Sequence, residues 1–233
     1  MSEQKQKRGQ SVFREYFELI VETAIFVFFV MTFVAQASQV PTGSMEDTIL
    51  IGDFLIINKL AYASPQSGFE KMILPCKDIE KGDTLVFKSP QEEGKDMVKR
   101  VIATEGDSIE IKDKQVLINS EPISEAYKVH KDDRIISRDG YYHYADTIRD
   151  NFGPVSVPPG HCFVMGDNRD SSYDSRYWGF LSLDSVKGRP WVIYFSYAAE
   201  ENSHLKTSLR DRLSRLVQYV PRARWGRILH IIH

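Results

Sequence analysis

The sequence predicts a mainly β protein carried on one apolar N-terminal helix. Three observations point there: an uncharged stretch near the start, a succession of short β-branched and aromatic runs after it, and a basic amphipathic end. With 233 residues and 42% hydrophobic content, the chain can bury a core as one domain, or as one domain with a small insertion. A formal charge of -2 offers no strongly basic surface, so a nucleic-acid partner is not expected. Cys76 and Cys162 lie far apart and in no metal-like spacing, which gives neither a zinc site nor a disulfide framework. One bridge between them stays open.

The helix comes first. No charge lies between Thr23 and Met45, and residues 24–35 read AIFVFFVMTFVA. A bilayer span needs about 20 residues, which 16–36 supplies if Glu18 and Glu22 sit at the headgroup end. These two carboxylates share one helix face, and Arg14 lies one turn before Glu18, so pairing and snorkelling lower their cost. The reading is a cytoplasmic segment over 1–15 and a single transmembrane anchor over 16–36. A buried core helix and a cleavable signal peptide ending at Ala35-Gln36-Ala37 are the competing readings; the acidic leader argues against the second. Lys5, Lys7, Arg8 and Arg14 precede the span, and Glu46, Asp47 and Asp53 follow it. That asymmetry keeps the N-terminus inside and places the chain from about Val40 onward outside the cytoplasmic membrane.

Residues 37–204 change character. DFLIINKL, DTLVFK, MVKRVIA, DSIEIK, QVLIN, HCFVMG and PWVIYFSY are short, apolar and separated by polar turns, the pattern of an antiparallel β domain. Around Lys112-Asp113-Lys114 the alternation of Ile109, Ile111, Val116 and Ile118 predicts a hairpin. Residues 119–159 are richer in charge, tyrosine and turn formers, which suggests an inserted lobe. In 205–233, Leu205, Leu209, Leu213, Leu216 and Val220 recur at helical spacing among arginines, Pro221 ends the pattern, and Trp225 precedes an apolar finish. This basic amphipathic segment fits a lipid surface or docking on the domain.

Three stretches stand apart: PTGSM at 41–45, MVKRVI at 97–102 and GDNRDSSYDSR at 166–176. Singly each has an ordinary reading: a turn serine, a snorkelling strand lysine, a polar loop held by its own hydrogen bonds. Together, in this order, and with KGDTLVF at 81–87, VIATEGD at 101–107 and the preceding anchor, they resemble the type I signal peptidases over residues 12–197. The resemblance implies a membrane-bound serine endopeptidase that removes signal peptides from exported preproteins, cleaving after small residues at the outer face of a bacterial inner membrane. It assigns Ser44 as nucleophile and Lys99 as general base, with Thr42 beside the Ser44 N–H as oxyanion donors and Ser172 orienting the lysine. Arg100, Asp167, Asp174 and Arg176 become structural supports, and Val40, Met45, Ile49 and Val98 a small apolar pocket. No metal or cofactor is implied. One departure is visible: many relatives carry proline where this chain has Asp47, which leaves the rigidity of that loop in question.

Elementary chemistry supports the pairing. A serine hydroxyl is a weak nucleophile until a base removes its proton. A lysine near its ordinary pKa of ~10.4 is almost wholly charged at neutral pH, so burial must bring it to about 7–8, and Val98, Val101 and Ile102 can supply that burial. The histidines sit in no G-x-S-x-G or H-E-x-x-H context. A pathway-dedicated relative of the same peptidase, or a catalytically silent membrane-anchored β domain that binds exported chains, remains the alternative function.

Overall fold

The computed structural model describes residues 2–62, 77–92, 94–137, 147–199, 208 and 219–232, with side chains from Val12 onward. Helix α1 (Ser2–Phe29) runs into a π-helical turn over Val30–Val34. Across the two, Val12–Val34 has a mean hydropathy of 2.2, is long enough to cross a membrane, and has an apolar stretch of which none is buried. Phe13 and Phe28 are 75% and 72% exposed, which a helix in water would not sustain and lipid would. Arg14 reaches Glu18 at 2.7 Å, the pairing that the spacing predicts. At the other end Lys59 Nζ donates to the Met31 and Thr32 carbonyls at 3.3 and 2.9 Å. A cation thereby satisfies carbonyls that the end of a helix leaves open.

The chain then enters β1 (Ala35–Gln39), β2 (Asp53–Asn58), β3 (Thr84–Lys88), β4 (Asp96–Thr104), β5 (Ser108–Lys112), β6 (Gln115–Ile118), β7 (Glu121–Pro122), β8 (Phe152–Ser156) and β9 (His161–Met165). A short α2 (Ser175–Trp178), β10 (Leu181–Ser182), β11 (Val186–Ser196) and β12 (His230–Ile231) complete it. Among the described residues every strand pairing is antiparallel. One sheet has the order β1-β2-β11-β3-β4-β9-β10 with β12 against β11; the other is β7-β6-β5-β8. The protein is mainly β with an N-terminal apolar helix, as the sequence predicts.

The β5–β6 hairpin shows why local pattern sufficed. Ile109, Ile111, Val116 and Ile118 are all at most 5% exposed, and the turn residues Asp113 and Lys114 both hold positive φ, at 46° and 69°. Two left-handed residues make the turn whose twist matches that of the strands it joins. Its sheet packs Ile102, Phe163 and Met165 of the larger one into a shared core.

The end of the chain does not stand off in solvent. β12 lies against β11, and Ile232 is 3% exposed in the cluster of Val40, Met45, Ile49, Leu55 and Ile193. Arg227 donates to the buried Asp53 carboxylate at 2.7 Å and to the Thr48 carbonyl at 3.0 Å; Arg224 donates to the Ile51 carbonyl at 3.0 Å. The last residues thus brace the 40–53 loop. The helical repeat of Leu205 to Leu216 lies outside the described residues, as does Cys76. Cys162 is a free, buried thiol, and burial pushes it up to about 12.

Candidate active site

Three segments distant in sequence converge. Loop 40–53 carries Ser44, β4 carries Lys99 and Arg100, and the loop leaving β9 carries residues 166–176. β4 pairs with β3 through Lys99 opposite Leu85, and with β9 through Arg100 opposite Met165. Successive side chains on a strand leave on opposite faces, so one of this pair meets Ser44 and the other the β9 loop.

Lys99 Nζ lies 2.6 Å from Ser44 Oγ, and the two residues are 2% and 8% exposed. Burial lowers the lysine from 10.5 to about 8; Asp174 and Asp167 oppose that and Arg176 assists it. Desolvation disfavours the ammonium because the interior cannot replace its hydration. The Ser44 N–H has no hydrogen-bond partner among the described residues. Thr42 is exposed on the same rim and its hydroxyl is likewise unpaired.

Each of the four charged supports is buried and paired. Arg100 grips Asp167 with two bonds of 2.9 Å, donates to the Gly82 carbonyl at 2.7 Å, and stacks over Tyr127. Arg176 grips Asp174 with two bonds of 2.9 Å and donates to the Arg169 carbonyl. Forked guanidinium–carboxylate pairs fix orientation as well as charge. The Arg176 guanidinium keeps the Asp174 carboxyl below its usual range although burial alone would raise it.

Ser172 sits differently from its expected role. Its hydroxyl accepts the Gly166 N–H at 3.1 Å and bonds to Asp174, and no bond to Lys99 is formed. The packing explains this: a Cβ on Gly166 would lie 2.4 Å from both Ser172 Oγ and the Ser44 carbonyl oxygen. The absence of a side chain at Gly166 lets Ser172 and the Ser44 loop crowd together, and the Ser172 hydroxyl takes the Gly166 N–H.

Beside the dyad runs a groove of about 460 Å³ lined by Gln39, Val40, Thr42, Met45, Met97 and Val98, among others. Ile49, 0% exposed, lies beneath it with Met45 and Leu55.

Several further residues hold the site together. Thr48 Oγ1 donates to Asp167 at 2.7 Å, Asn168 holds the carbonyls of Gly43 and Ser44, and Arg169 is buried against Glu125. Asn168 and Arg169 lie inside the GDNRD run, so the motif flagged them without a role; nothing local marks Glu125.

Asp47 resolves the departure noted above. Its φ is 80°, the left-handed region, whereas proline is locked near −65°. Asp47→Pro is expected to lower stability by more than ~1 kcal/mol and to cut turnover, while Asp47→Gly keeps both. Thermal unfolding and peptide cleavage of the two variants check this.

Compared with known proteins, residues 13–195 match the family described as signal peptidase, peptidase S26. A signal peptidase I of Pseudomonas fluorescens is 28% identical over 214 residues, covering 82% of this chain and 75% of that one. A probable signal peptidase I-2 of Synechocystis is 31% identical over 200 residues, covering 83% and 78%. A solved signal peptidase I of Enterococcus faecalis, 32% identical, covers 48% of this chain and 97% of that one with a TM-score of 0.38. The chain is a serine endopeptidase. It belongs to the signal peptidase family, peptidase S26.

Proposed function

We propose that this chain removes N-terminal signal peptides from exported preproteins with a Ser44/Lys99 dyad, at the outer face of a cytoplasmic membrane. The observation that carries the reading is the 2.6 Å contact between Ser44 Oγ and a lysine whose burial brings it to about 8. In the neutral form Lys99 takes the Ser44 proton as Oγ attacks the scissile carbonyl carbon. The oxyanion forms against the Ser44 N–H and the Thr42 hydroxyl. As the C–N bond breaks, the Lys99 ammonium gives its proton to the departing amine of the mature chain. Lys99 then draws a proton from the water that attacks the acyl-enzyme and returns it to Ser44 Oγ as the ester C–O bond breaks. Arg100–Asp167 and Arg176–Asp174 hold β4 and the β9 loop in place, and Ser172 ties the Gly166 N–H and Asp174 together within that loop. Val40, Met45 and Val98 admit a small residue before the cut, with Ile49 as the floor.

The anchor supplies location. With the basic N-terminus inside, 16–36 spanning, and 37–204 outside, Ser44 is held where a signal peptide's cleavage site leaves the lipid. Tethering raises the effective concentration without new contacts.

The testing experiment is the pH dependence of preprotein cleavage by wild type, Ser44→Ala and Lys99→Ala in detergent, with folding checked by circular dichroism. A lysine base depressed to about 8 must lose its proton to act, so kcat/KM climbs with pH and levels off above about 8. Both variants are expected to fold and to be inactive. Cleavage surviving in Ser44→Ala overturns the nucleophile, and wild type that cuts no preprotein moves the chain to a binding role.

A further inference from the structure

Asn168 is 2% exposed, inside the β9 loop, and grips the backbone on both sides of Ser44. Its side-chain Nδ2 donates to the Gly43 carbonyl at 3.1 Å, and its backbone N–H donates to the Ser44 carbonyl, also at 3.1 Å. The Gly43 carbonyl accepts the Glu46 N–H as well, at 3.1 Å. In a trans peptide the C=O and N–H of one unit point in opposite directions, and the Gly43–Ser44 bond is trans. Holding the Gly43 oxygen toward Asn168 therefore turns the Ser44 N–H away from it, unpaired.

Asn168 is itself fixed. Its backbone bridges to Val129, with the Val129 N–H donating to the Asp167 carbonyl at 2.8 Å and the Arg169 N–H to the Val129 carbonyl at 3.0 Å. The surroundings of its amide demand a donor. Nδ2 faces the Gly43 oxygen and, at 3.4 Å, Glu46 Oε2, while Oδ1 is buried with no partner. Leaving an acceptor unsatisfied in the interior is unfavourable; here the amide accepts it in order to present two N–H bonds to the nucleophile loop. Glu46 is in turn ion-paired with Lys131.

We infer that Asn168 is the positioning residue that aims the Ser44 N–H, fixing the Gly43–Ser44 peptide so that its donor faces the developing oxyanion. This rests on the reading of Ser44 as nucleophile and oxyanion donor. An aimed donor acts on the transition state more than on the bound substrate, so its loss appears in kcat rather than KM.

The test uses the full chain in detergent, a peptide substrate with small residues before the cut, and a peptide boronate that forms a tetrahedral adduct with a reactive serine. Asn168→Asp has the same shape but sets a carboxylate oxygen against the Gly43 oxygen and Glu46. It is expected to lower kcat by about 100-fold, the scale of one oxyanion donor, with KM within about twofold and boronate affinity falling in parallel. In the Glu46→Gln background Asn168→Asp is expected to cost less than in the wild type, because the introduced amide can donate to the introduced carboxylate. The double variant is still expected to stay well below Glu46→Gln alone, because the Gly43 oxygen lacks its donor; full recovery overturns the inference. Asn168→Ala, which keeps the backbone grip, is expected to lose about tenfold and carries the test if the aspartate variant does not fold.

Wild-type kcat in folded Asn168→Ala overturns the inference. So does a loss that raises KM and weakens substrate binding to the Ser44→Ala background equally, which marks a collapsed groove. Ser44→Ala and Lys99→Ala in the same assay separate the two readings. Cleavage by either defeats the dyad itself, whereas dead dyad variants beside a fully active Asn168 variant defeat only the positioning role.

Discussion

Lys99→Met is expected to give a folded protein with no peptidase activity and greater stability than the wild type at neutral pH. The lysine is 2% exposed and brought from 10.5 to about 8, chiefly by desolvation. That difference corresponds to about 3 kcal/mol against the folded state while both states are protonated. The sign follows from which state holds the proton. Below about 8 the folded and unfolded chains both carry the ammonium and the penalty is present in full. Between about 8 and 10.5 the folded state releases its proton first, so wild-type stability rises with pH; above that range both are neutral and the penalty is gone. Methionine has similar length and no charge, so its advantage is greatest below pH 8 and fades toward pH 10.5, less whatever the Ser44 hydrogen bond contributes. Denaturation of both proteins at pH 6.5 and pH 10 measures it. A variant less stable than wild type at pH 6.5, or a gap that does not change with pH, overturns the account.

Arg169→Met is expected to cost about 3–5 kcal/mol, the range for removing one partner of a buried ion pair. Arg169 and Glu125 have side chains 2% and 0% exposed. The guanidinium also donates to the Gly166 carbonyl at 3.1 Å and to Glu125 Oε2 at 2.8 Å. Its loss strands a carboxylate in the core and loosens the turn that seats Gly166 against Ser44. The double variant Glu125→Leu/Arg169→Met removes both charges and is expected to recover much of the stability, since apolar replacement of a whole pair is often neutral. Thermal melts of the three variants decide it; additive losses in the double variant sink the ion-pair explanation. Activity follows the same order because the β9 loop holds Asp167 and Asn168.

How much of this was legible depended on the range of the interaction. The hairpin over 108–118 could be read because alternation of four apolar residues and a tight turn are local properties. The candidate dyad could be read only as a set: PTGSM, MVKRVI and GDNRDSSYDSR are ordinary alone and specific in combination. Ser172, expected to orient Lys99, commits its hydroxyl to the Gly166 N–H and Asp174, partners that come within reach only when the β9 loop is packed. Asp47 read as a missing proline, and its φ of 80° makes it a residue that proline could not replace.

By itself the sequence determined what local composition and spacing control. These are an apolar helix long enough to span a bilayer, strands whose faces alternate, and the reactive residue types in order along the chain. Only the tertiary structure decided which side chains meet: Lys99 with Ser44, Arg169 with Glu125, Asn168 with the Gly43 oxygen, and Arg227 with Asp53 across 174 residues of chain. Those contacts depend on strand register and on burial, which lowers the lysine and makes each unpaired charge costly. Burial is a property of the packed whole, and no segment of the sequence carries it alone.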